Sequence, residues 1–294
     1  MPDLEVRPAR PEDHDAVLAF CQQTWDWGDY IEHVWDEWLN NPQGTLLVAT
    51  IDGQPIGVAH IRMLNETEAW FEGMRIDPAF RKQGTASALY DAQVAEAKRR
   101  GATTIRLITE ATNTAAIRLL ERSAMLRVGA YVMYRASADT LPQKSSYAIE
   151  TPVLATIADL NDIIDYLNTS NIFPASGGLY YQGFTAYTIT RELLLEKIKA
   201  QQLYILRRWD RLDGLAIAKP RSWHLGEHLF IGYIDGTTES ISMIAYALRR
   251  LLSTLGLENS IAHVPDLMMV RDAFVGAGYE TDGKVFYTYE RVLT

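Results

Sequence analysis

The chain has 294 residues, of which 48% are hydrophobic and 22% charged, a balance typical of a globular protein with one large domain or two of ordinary size. Its net charge of −9 argues against a nucleic-acid-binding protein, which needs a basic surface. A single cysteine, no zinc-ligand spacing, no signal-peptide pattern and no apolar run of membrane-spanning length together predict a cytoplasmic protein without disulfides, bound metal or membrane contact.

The first half of the sequence shows alternating helix and strand patterns. Apolar residues recur every three to four positions in the predicted helices, whereas β-branched and aromatic residues cluster in the predicted strands. Asp52-Gly53 between two apolar runs is a strong hairpin signal. In chain order the predicted elements are a strand Leu4–Arg7, helices Pro11–Gln23 and Tyr30–Leu39, strands Leu46–Ile51, Ile56–Leu64 and Ala69–Ile76, a helix Thr85–Arg100, a strand Thr104–Thr109, a helix after Asn113 and a strand Leu126–Arg135.

The second half repeats that order of elements without repeating the residues. Its predicted elements are strands Leu203–Arg208, Leu215–Lys219 and Leu229–Ile234, a long helix from Thr238, a strand Ser260–His263, a helix after Asp266 and a strand Val285–Tyr289. The polar, proline-containing segment between the halves is typical of a linker. We therefore expect a domain at residues 1–136, a linker at 137–147 and a second copy of the fold at 148–294. The glycine-rich stretch Asn171–Phe184 is either a surface loop or a flap.

One segment of the first half, Arg81-Lys82-Gln83-Gly84-Thr85-Ala86, has the features of an anion-binding turn. It precedes a helix, whose first N–H groups have no internal partner and whose dipole favours negative charge. Gly84 allows close approach of the backbone, Ala86 is small, and Arg81 and Lys82 add positive charge. An ordinary solvated turn has the same composition, so the neighbouring elements decide the interpretation.

Those neighbours resemble the Gcn5-related N-acetyltransferase (GNAT) family. The shared features are an apolar strand ending in Asp77-Pro78, the R-x-x-G-x-A turn, a helix, a second strand, and a helix that opens with Asn113 in the pattern N-x-x-A-x-x-L. Upstream, Leu4–Leu64 matches the family's order of elements. The resemblance implies an α/β fold with a central mixed sheet flanked by helices. It also implies two such domains in tandem, of which the second is degenerate.

The resemblance further implies an acetyl-coenzyme A site built mainly from backbone. The pyrophosphate is expected on the amides of the turn, and the pantetheine arm along the end of the preceding strand. A backbone N–H near Met74 is expected to polarise the thioester carbonyl, and Gly73 fits the family's strand bulge. The implied cofactor-binding residues are Met74, Arg75, Ile76, Arg81, Lys82, Gln83, Gly84, Thr85, Ala86 and Asn113.

Glu72, on the strand that leads to the thioester, is the candidate general base. An amine attacks only when it is unprotonated, so a neighbouring group must accept its proton. The alternative is a glutamate that orients substrate or pairs with an arginine such as Arg75. Many family members place a tyrosine where this chain has Leu120, and a hydrocarbon cannot protonate the departing thiolate. Water, Tyr131 or Tyr134 are the candidates for that role.

The acceptor is expected beside the acidic, aromatic segment between the first two helices. Carboxylates hold ammonium groups and aromatic faces attract cations, so Trp27, Asp29 and Tyr30 are candidate substrate-binding residues. An ordinary loop is the alternative, and Trp35 and Trp38 fit better as core residues. The segment, the W-x-x-W helix and the strand F-E-G-M-R are also similar to vertebrate-type histidine N-acetyltransferase. That similarity implies a free amino acid as the acceptor.

The leading hypothesis is an enzyme that transfers an acetyl group from acetyl-coenzyme A to a primary amine of a small molecule. A protein N-acetyltransferase and a non-catalytic acyl-coenzyme A sensor are the alternatives. The second domain lacks the anion-binding turn and has Asp235 and Glu239 near the corresponding helix start, where they repel phosphate. It is expected to cover the first domain, complete the acceptor pocket or form a dimer, so the protein is a monomer or a homodimer. His60 fits a structural role better than a catalytic one.

Overall fold

The computed structural model describes residues 4–22, 24, 28–138, 151–223 and 226–294. Its internal contacts divide the chain into two compact units. Unit 1 comprises Met1–Ile108, Asn113–Leu126 and Tyr289–Thr294, and unit 2 comprises Thr109–Thr112 and Arg127–Thr288. The C-terminal residues therefore belong with unit 1. Most of the predicted linker 137–147 lies outside the described residues, and the domain boundaries at 136 and 148 stay predictions.

Unit 1 contains a mixed sheet. In chain order its elements are β1 (Leu4–Pro8), α1 (His14–Cys21), α2 (Ile31–Asn40), β2 (Gly44–Ile51), β3 (Gln54–Met63), β4 (Glu68–Ile76), α3 (Thr85–Arg99), β5 (Thr104–Glu110) and α4 (Thr114–Arg122). The strands are hydrogen-bonded in the order β1-β2-β3-β4-β5. The pair β4–β5 is parallel and the other pairs are antiparallel. Each of the elements predicted for this half is present, and the mixed α/β fold class is confirmed.

Alternation of side chains along β2 puts helices on both faces of this sheet. Val48 packs with Trp35 and Trp38 of α2, whereas its neighbour Ala49 packs with Leu89 of α3. Successive side chains of a strand point to opposite faces, which explains the division. Trp35 and Trp38 are 2% and 5% exposed, so their predicted place in the core is confirmed.

Unit 2 also contains strands paired in both directions, and two of them form a separate hairpin. Its elements, of which the last continues into unit 1 at Tyr289, are β6 (Leu126–Ser137), β7 (Val153–Leu154), α5 (Leu160–Thr169), α6 (Ile172–Ala175), β8 (Leu179–Gln182), β9 (Thr185–Thr188), α7 (Arg191–Lys199), β10 (Leu203–Arg208), β11 (Arg211–Trp223), β12 (Gly226–Gly236), α8 (Thr238–Leu255), β13 (Asn259–Pro265), α9 (Met268–Gly276) and β14 (Val285–Val292). The sheet order is β6-β13-β12-β11-β10-β7, with β12 and β13 parallel. The helix α8, predicted from Thr238, contributes its apolar stripe to the core of this unit.

The stretch Asn171–Phe184 corrects a sequence-based expectation. It forms α6 and β8 instead of an irregular surface loop, and Tyr180 and Tyr181 within it are 1% and 0% exposed. Gly232 of β12 makes this possible, because a Cβ atom at that position would overlap the backbone oxygen of Tyr181. The expectation was wrong because the strand that buries these tyrosines is remote in sequence.

His263 of β13 is buried among aromatic rings in unit 2. It is 2% exposed, and the rings of Phe184 and Phe230 lie 5.0 and 5.2 Å from its own. Burial lowers the pKa of His263 from 6.5 to about 3, with Arg221 and Arg135 acting in the same direction. The unfolded chain therefore binds a proton below pH 6.5 that the folded chain excludes, so the free energy of unfolding should fall as the pH decreases.

Between pH 6.5 and 5 the native protein should lose roughly 2 kcal/mol more of its unfolding free energy than a His263→Phe variant. Urea titrations of both proteins at the two pH values measure this difference. The interval lies above the range in which carboxylates titrate, and burial also lowers the pKa of His228, which is common to both proteins. An equal pH dependence in the two proteins would show that His263 is not held neutral by burial.

Candidate active site

The strands β4 and β5 are paired only where they begin. The parallel ladder joins Glu68–Trp70 to Thr104–Arg106. Within the described parts of both strands the pairing ends there, so the strands separate toward their carboxyl ends. On the other edge of β4 the register with β3 shifts, since Val58 lies opposite Arg75 but His60 lies opposite Glu72. This is a β-bulge, and it re-aims the backbone of the following residues beside the gap.

Gly73 lies at the bulge and cannot be replaced without strain. Its φ of +69° is in the left-handed region that favours glycine. A Cβ atom here would also overlap the ring of Trp38, which α2 places against the strand. The bulge predicted from Gly73 is therefore confirmed, and both its geometry and its packing require glycine.

The turn before α3 is open to solvent. Lys82 and Gly84 have φ of +62° and +89°, and residues Arg81–Gly84 are exposed. In the described part of the chain, the first amide of α3 with a carbonyl acceptor is that of Ala88, which donates to Gly84 O at 3.0 Å. No atom lies within 4 Å of a Cβ atom built on Gly84. The turn thus presents unpaired N–H groups and a helix dipole to open space, which suits an anion.

Asn113 is the N-cap of α4 and follows the end of β5 by three residues. Its Oδ1 accepts from the Ala116 amide at 3.1 Å, and its side chain is exposed. Leu120 is 2% exposed, so a hydrocarbon does occupy that buried position. Of the two tyrosines named as proton donors, both are buried in unit 2, and the Tyr131 hydroxyl donates to the backbone oxygen of Ser176.

Glu72 lies at the bulge with two neighbours from β3. Its Oε1 accepts from Arg62 Nε at 2.9 Å and from His60 Nδ1 at 3.0 Å. The Glu72 side chain is 20% exposed, whereas the His60 side chain is fully buried. The arginine partner is therefore Arg62 and not Arg75. These neighbours hold the carboxylate on the α2 face of the sheet, because His60 stacks on Trp38 of α2.

Arg75 is paired with a carboxylate of the segment that precedes α2. Its Nε donates to Asp29 Oδ2 at 2.6 Å, and the Asp29 side chain is 3% exposed. The guanidinium also lies 5.3 Å from the centre of the Tyr30 ring. Burial raises the pKa of Tyr30, the charge of Arg75 opposes this, and the carboxylates of Glu72 and Asp29 raise it further. Asp29, Tyr30, Glu72 and Arg75 therefore form one electrostatic cluster.

A cavity of about 140 Å³ lies beside this cluster. Its lining is mostly polar and consists of Leu18, Cys21, Gln22, Gly28, Asp29, Glu32 and His33. Burial and the nearby charge of Asp29 raise the pKa of the Cys21 thiol to about 12, so that side chain is not a nucleophile at neutral pH. Among the described residues Glu32 has no ion-pair partner, which leaves it as an available carboxylate of the cavity.

The acetyltransferase (GNAT) family model matches residues 14–125, the span that contains the turn, the bulge and Glu72. Residues 14–125 are therefore a GNAT domain. The family predicted from the R-x-x-G-x-A turn and its neighbours is confirmed for this part of the chain.

Other comparisons agree with the GNAT assignment. An 87-residue stretch, 29% of the chain, is 28% identical to histidine N-acetyltransferase of Oreochromis niloticus and spans 26% of that relative's length. A GCN5-related N-acetyltransferase structure from Sphaerobacter thermophilus shares 15% identity with a TM-score of 0.62, covering 99% of this chain and 96% of the other. One from Anabaena variabilis shares 12% identity with a TM-score of 0.53, covering 99% and 73%. At these identities the two structures show the fold, along nearly the whole chain.

The GNAT domain brings together most of the residues predicted for its site. The turn Arg81–Ala86 and the strand end Met74–Ile76 follow each other directly, and Asp29 and Tyr30 lie in the cluster with Glu72. Trp27 lies outside the described residues. Sequence patterns alone did not identify the partners of Glu72. A histidine and an arginine two positions apart on a strand were a signal, but the bulge decides which residue of β4 they face.

Unit 2 has a buried carboxylate near the start of its long helix. Asp235 is 2% exposed and accepts from Ser170 Oγ and from the Tyr233 hydroxyl, each at 2.7 Å. Burial raises the pKa of Asp235 even though these hydrogen bonds oppose it. Thr237 caps α8 and accepts from the Ser240 amide at 3.1 Å, so one of the first amides of the helix is already paired. This end of unit 2 is filled by protein groups, unlike the open turn of the GNAT domain.

A Gly84→Ala variant should weaken acetyl-coenzyme A binding by about 10-fold, because the methyl group strains the left-handed backbone and projects into the open turn. Gly53→Ala is a matched control, since Gly53 has a φ of +82° and equally open surroundings in the β2–β3 hairpin. Both variants should lose about 1 kcal/mol of stability. Isothermal titration with acetyl-coenzyme A measures binding, and equal affinities of the two variants would exclude the turn as the cofactor site.

Within the described ranges, no helix is long and apolar enough to cross a membrane. The same residues contain no group of three or more histidine, cysteine, aspartate or glutamate side chains placed to hold a metal ion.

Proposed function

We propose that this chain transfers an acetyl group from acetyl-coenzyme A to a primary amine of a small molecule. The observation that carries the proposal is the sequence of three features along one stretch of backbone. Glu72 lies at the bulge of β4, the separating strand end follows, and the open turn before α3 comes next. A thioester at the gap and a pyrophosphate at the turn fit that order.

Backbone groups supply most of the proposed cofactor binding. The amides of Lys82–Ala86 hold the pyrophosphate, with Arg81 and Lys82 as flexible cations beside it. The backbone of Met74–Ile76 is available on the edge that β5 leaves, so it binds the pantetheine arm as an added strand would. Gln83, within the turn, and Asn113, at the start of α4, are proposed to contact the cofactor as well. The open space at Gly84 supports the fit, because a side chain there would fill the place of the phosphate.

Glu72 is the proposed general base. The amine nitrogen loses a proton to the carboxylate as it bonds to the acetyl carbon, and the carbon–sulfur bond breaks to release the thiolate. The N–H of Met74 is proposed to stabilise the negative charge that develops on the carbonyl oxygen. Leu120 cannot donate a proton to the thiolate, so we assign that step to water.

The proposed acceptor is a small amine bound on the α2 face of the sheet. The cavity of about 140 Å³ is too small for a peptide segment, and its available carboxylate, Glu32, suits an ammonium group. Asp29 acts by holding Arg75, and Tyr30 adds an aromatic face beside Glu72. Trp27 stays a candidate substrate-binding residue from its sequence position alone. Because the relative from Oreochromis niloticus is named for histidine, free amino acids belong among the first acceptors to test.

Unit 2 is proposed to be a degenerate copy of the same fold that binds no coenzyme A. The buried Asp235 and the capped start of α8 support this, because an anion there would meet a carboxylate and the Ser240 amide, which Thr237 already pairs. We propose one cofactor site per chain.

Thiol release after addition of acetyl-coenzyme A and an amine panel tests the function. The panel contains free amino acids, diamines and peptides with a free N-terminus or lysine. Release with one class of small amines is the expected result. Release only with peptides identifies a protein N-acetyltransferase, and tight binding of acetyl-coenzyme A without release across the panel identifies a sensor; either result overturns the proposal.

A further inference from the structure

His60 is held rigidly behind Glu72. It lies on β3 opposite Glu72, and its side chain is fully buried. The imidazole ring is stacked on the ring of Trp38 at 4.4 Å between centroids, with 6° between the planes. The backbone oxygen of His60 accepts from Gln93 Nε2 of α3 at 2.7 Å. Contacts from both faces of the sheet therefore fix the position of this histidine.

The surroundings of the two ring nitrogens determine where the proton lies. Nδ1 is 3.0 Å from Oε1 of Glu72, a carboxylate oxygen that only accepts, so Nδ1–H is the donor. Nε2 is buried and has no hydrogen-bond partner among the described residues, and a Cβ atom at the neighbouring Gly44 would lie 2.6 Å from it. A proton on Nε2 would be a buried donor without an acceptor, which is unfavourable. The imidazole is therefore in the Nδ1–H tautomer.

Two donors converge on one oxygen of the proposed base. His60 Nδ1 and Arg62 Nε both donate to Oε1, so in the described structure Oε2 is the oxygen left to accept a proton. A carboxylate held by one oxygen presents the other in a fixed direction. We infer that His60 is a positioning residue that orients Glu72 through its Nδ1–H, a role that rests on the proposed function of Glu72.

Two substitutions separate the hydrogen bond from the packing. His60→Phe keeps an aromatic ring on Trp38 but removes the donor, whereas His60→Asn loses the ring but keeps an N–H where Nδ1 lies. With an amine that the native protein acetylates, His60→Phe should lower kcat by about 10- to 100-fold. The kcat of His60→Asn should stay within about threefold of the native value. The KM for acetyl-coenzyme A should not change in either variant. A residue with only a packing role would give the opposite order.

A double variant tests whether His60 acts through Glu72. His60→Phe should have no further effect in a Glu72→Gln background, because the group that it orients is already disabled. Equal losses in both backgrounds would overturn the inference, as would a His60→Phe variant with native kcat. If Glu72→Gln itself keeps native activity, Glu72 is not the general base. That result contradicts the proposed function and is distinct from a failure of the inference about His60.

A spectroscopic measurement on the native protein needs no acceptor amine. The nitrogen chemical shifts of the six ¹⁵N-labelled histidines distinguish the two neutral tautomers, and His60→Asn identifies the signal of His60. The native protein should show the Nδ1–H form at His60. An Nε2–H form would refute the hydrogen bond to Glu72, and with it the positioning role, whether or not any amine is acetylated.

Discussion

Replacement of Glu72 by glutamine should lower kcat by roughly 10²- to 10⁴-fold, the range that a general base contributes. Glutamine has nearly the same size and still accepts from His60 and Arg62, so the bulge and its neighbours should persist. It cannot accept the proton of an attacking amine. The affinity for acetyl-coenzyme A should stay within about twofold, because the contacts of Glu72 are with β3 and not with the turn.

Glu37→Gln is the matched control for this variant. Glu37 is exposed on α2, one position before the Trp38 that stacks on His60, and its substitution removes the same charge near the site. Steady-state kinetics of both variants, with calorimetric titration of acetyl-coenzyme A, separate turnover from binding. A Glu72→Gln enzyme with native kcat would remove this residue from the mechanism.

A chain that ends at Thr288 should lose the cooperative fold of unit 1. The deleted residues include the buried Tyr289 and Leu293, and Leu293 donates from its backbone to Thr103 O at 2.8 Å. They also include Glu290, which accepts from Arg106 Nε at 2.5 Å. Arg106 is 6% exposed, so removal of Glu290 leaves a buried guanidinium whose remaining ion-pair partner among the described residues is Glu68. Breaking a buried ion pair on one side costs about 3–5 kcal/mol, before the lost apolar burial is added.

Glu290→Gln isolates the ion pair from the rest of the strand. It should lower the free energy of unfolding by about 1–3 kcal/mol, less than full disruption, because Glu68 remains. Glu66→Gln, at an exposed turn of the same unit, is the control for the change in net charge. Urea unfolding measures both variants, and hydrogen exchange of β5 tests the truncated chain. Native protection of β5 in the truncated chain would show that unit 1 folds without its C-terminal residues.

The sequence predicted the order of elements in unit 1 because their signals are local. Asp52-Gly53 predicts the β2–β3 hairpin, and the structure gives these residues φ of +50° and +82°. Asn113 predicts the start of α4, and its side chain caps that helix. The same local logic missed the α5 helix and the β8–β9 hairpin of unit 2. The sequence around Tyr180 and Tyr181 is typical of a loop. These residues are buried because Gly232, on a strand distant in sequence, has no side chain to block their backbone.

The candidate site also has features that depend on local sequence and features that depend on the tertiary fold. An anion-binding turn depends on a few consecutive residues, namely a glycine with positive φ and the free amides of a helix start. The motif Arg81–Ala86 could therefore be recognised in the sequence before the fold was known. The environment of Glu72 depends on the register of two strands. A bulge at Gly73 changes which side chains share a face, and no local pattern states which residue of β3 lies opposite.

The residues of this chain alone therefore indicated the family, the position of a candidate anion-binding turn and the lack of the R-x-x-G-x-A pattern in the second half. Tertiary structure decided the rest. It paired Asp29 with Arg75 and placed His60 and Arg62 on one oxygen of Glu72. It also brought Glu290 of the C-terminal strand into hydrogen-bond contact with Arg106. The physical reason is range: backbone conformation and helix dipoles arise within a few residues, whereas ion pairs and buried hydrogen bonds join segments that only folding brings together.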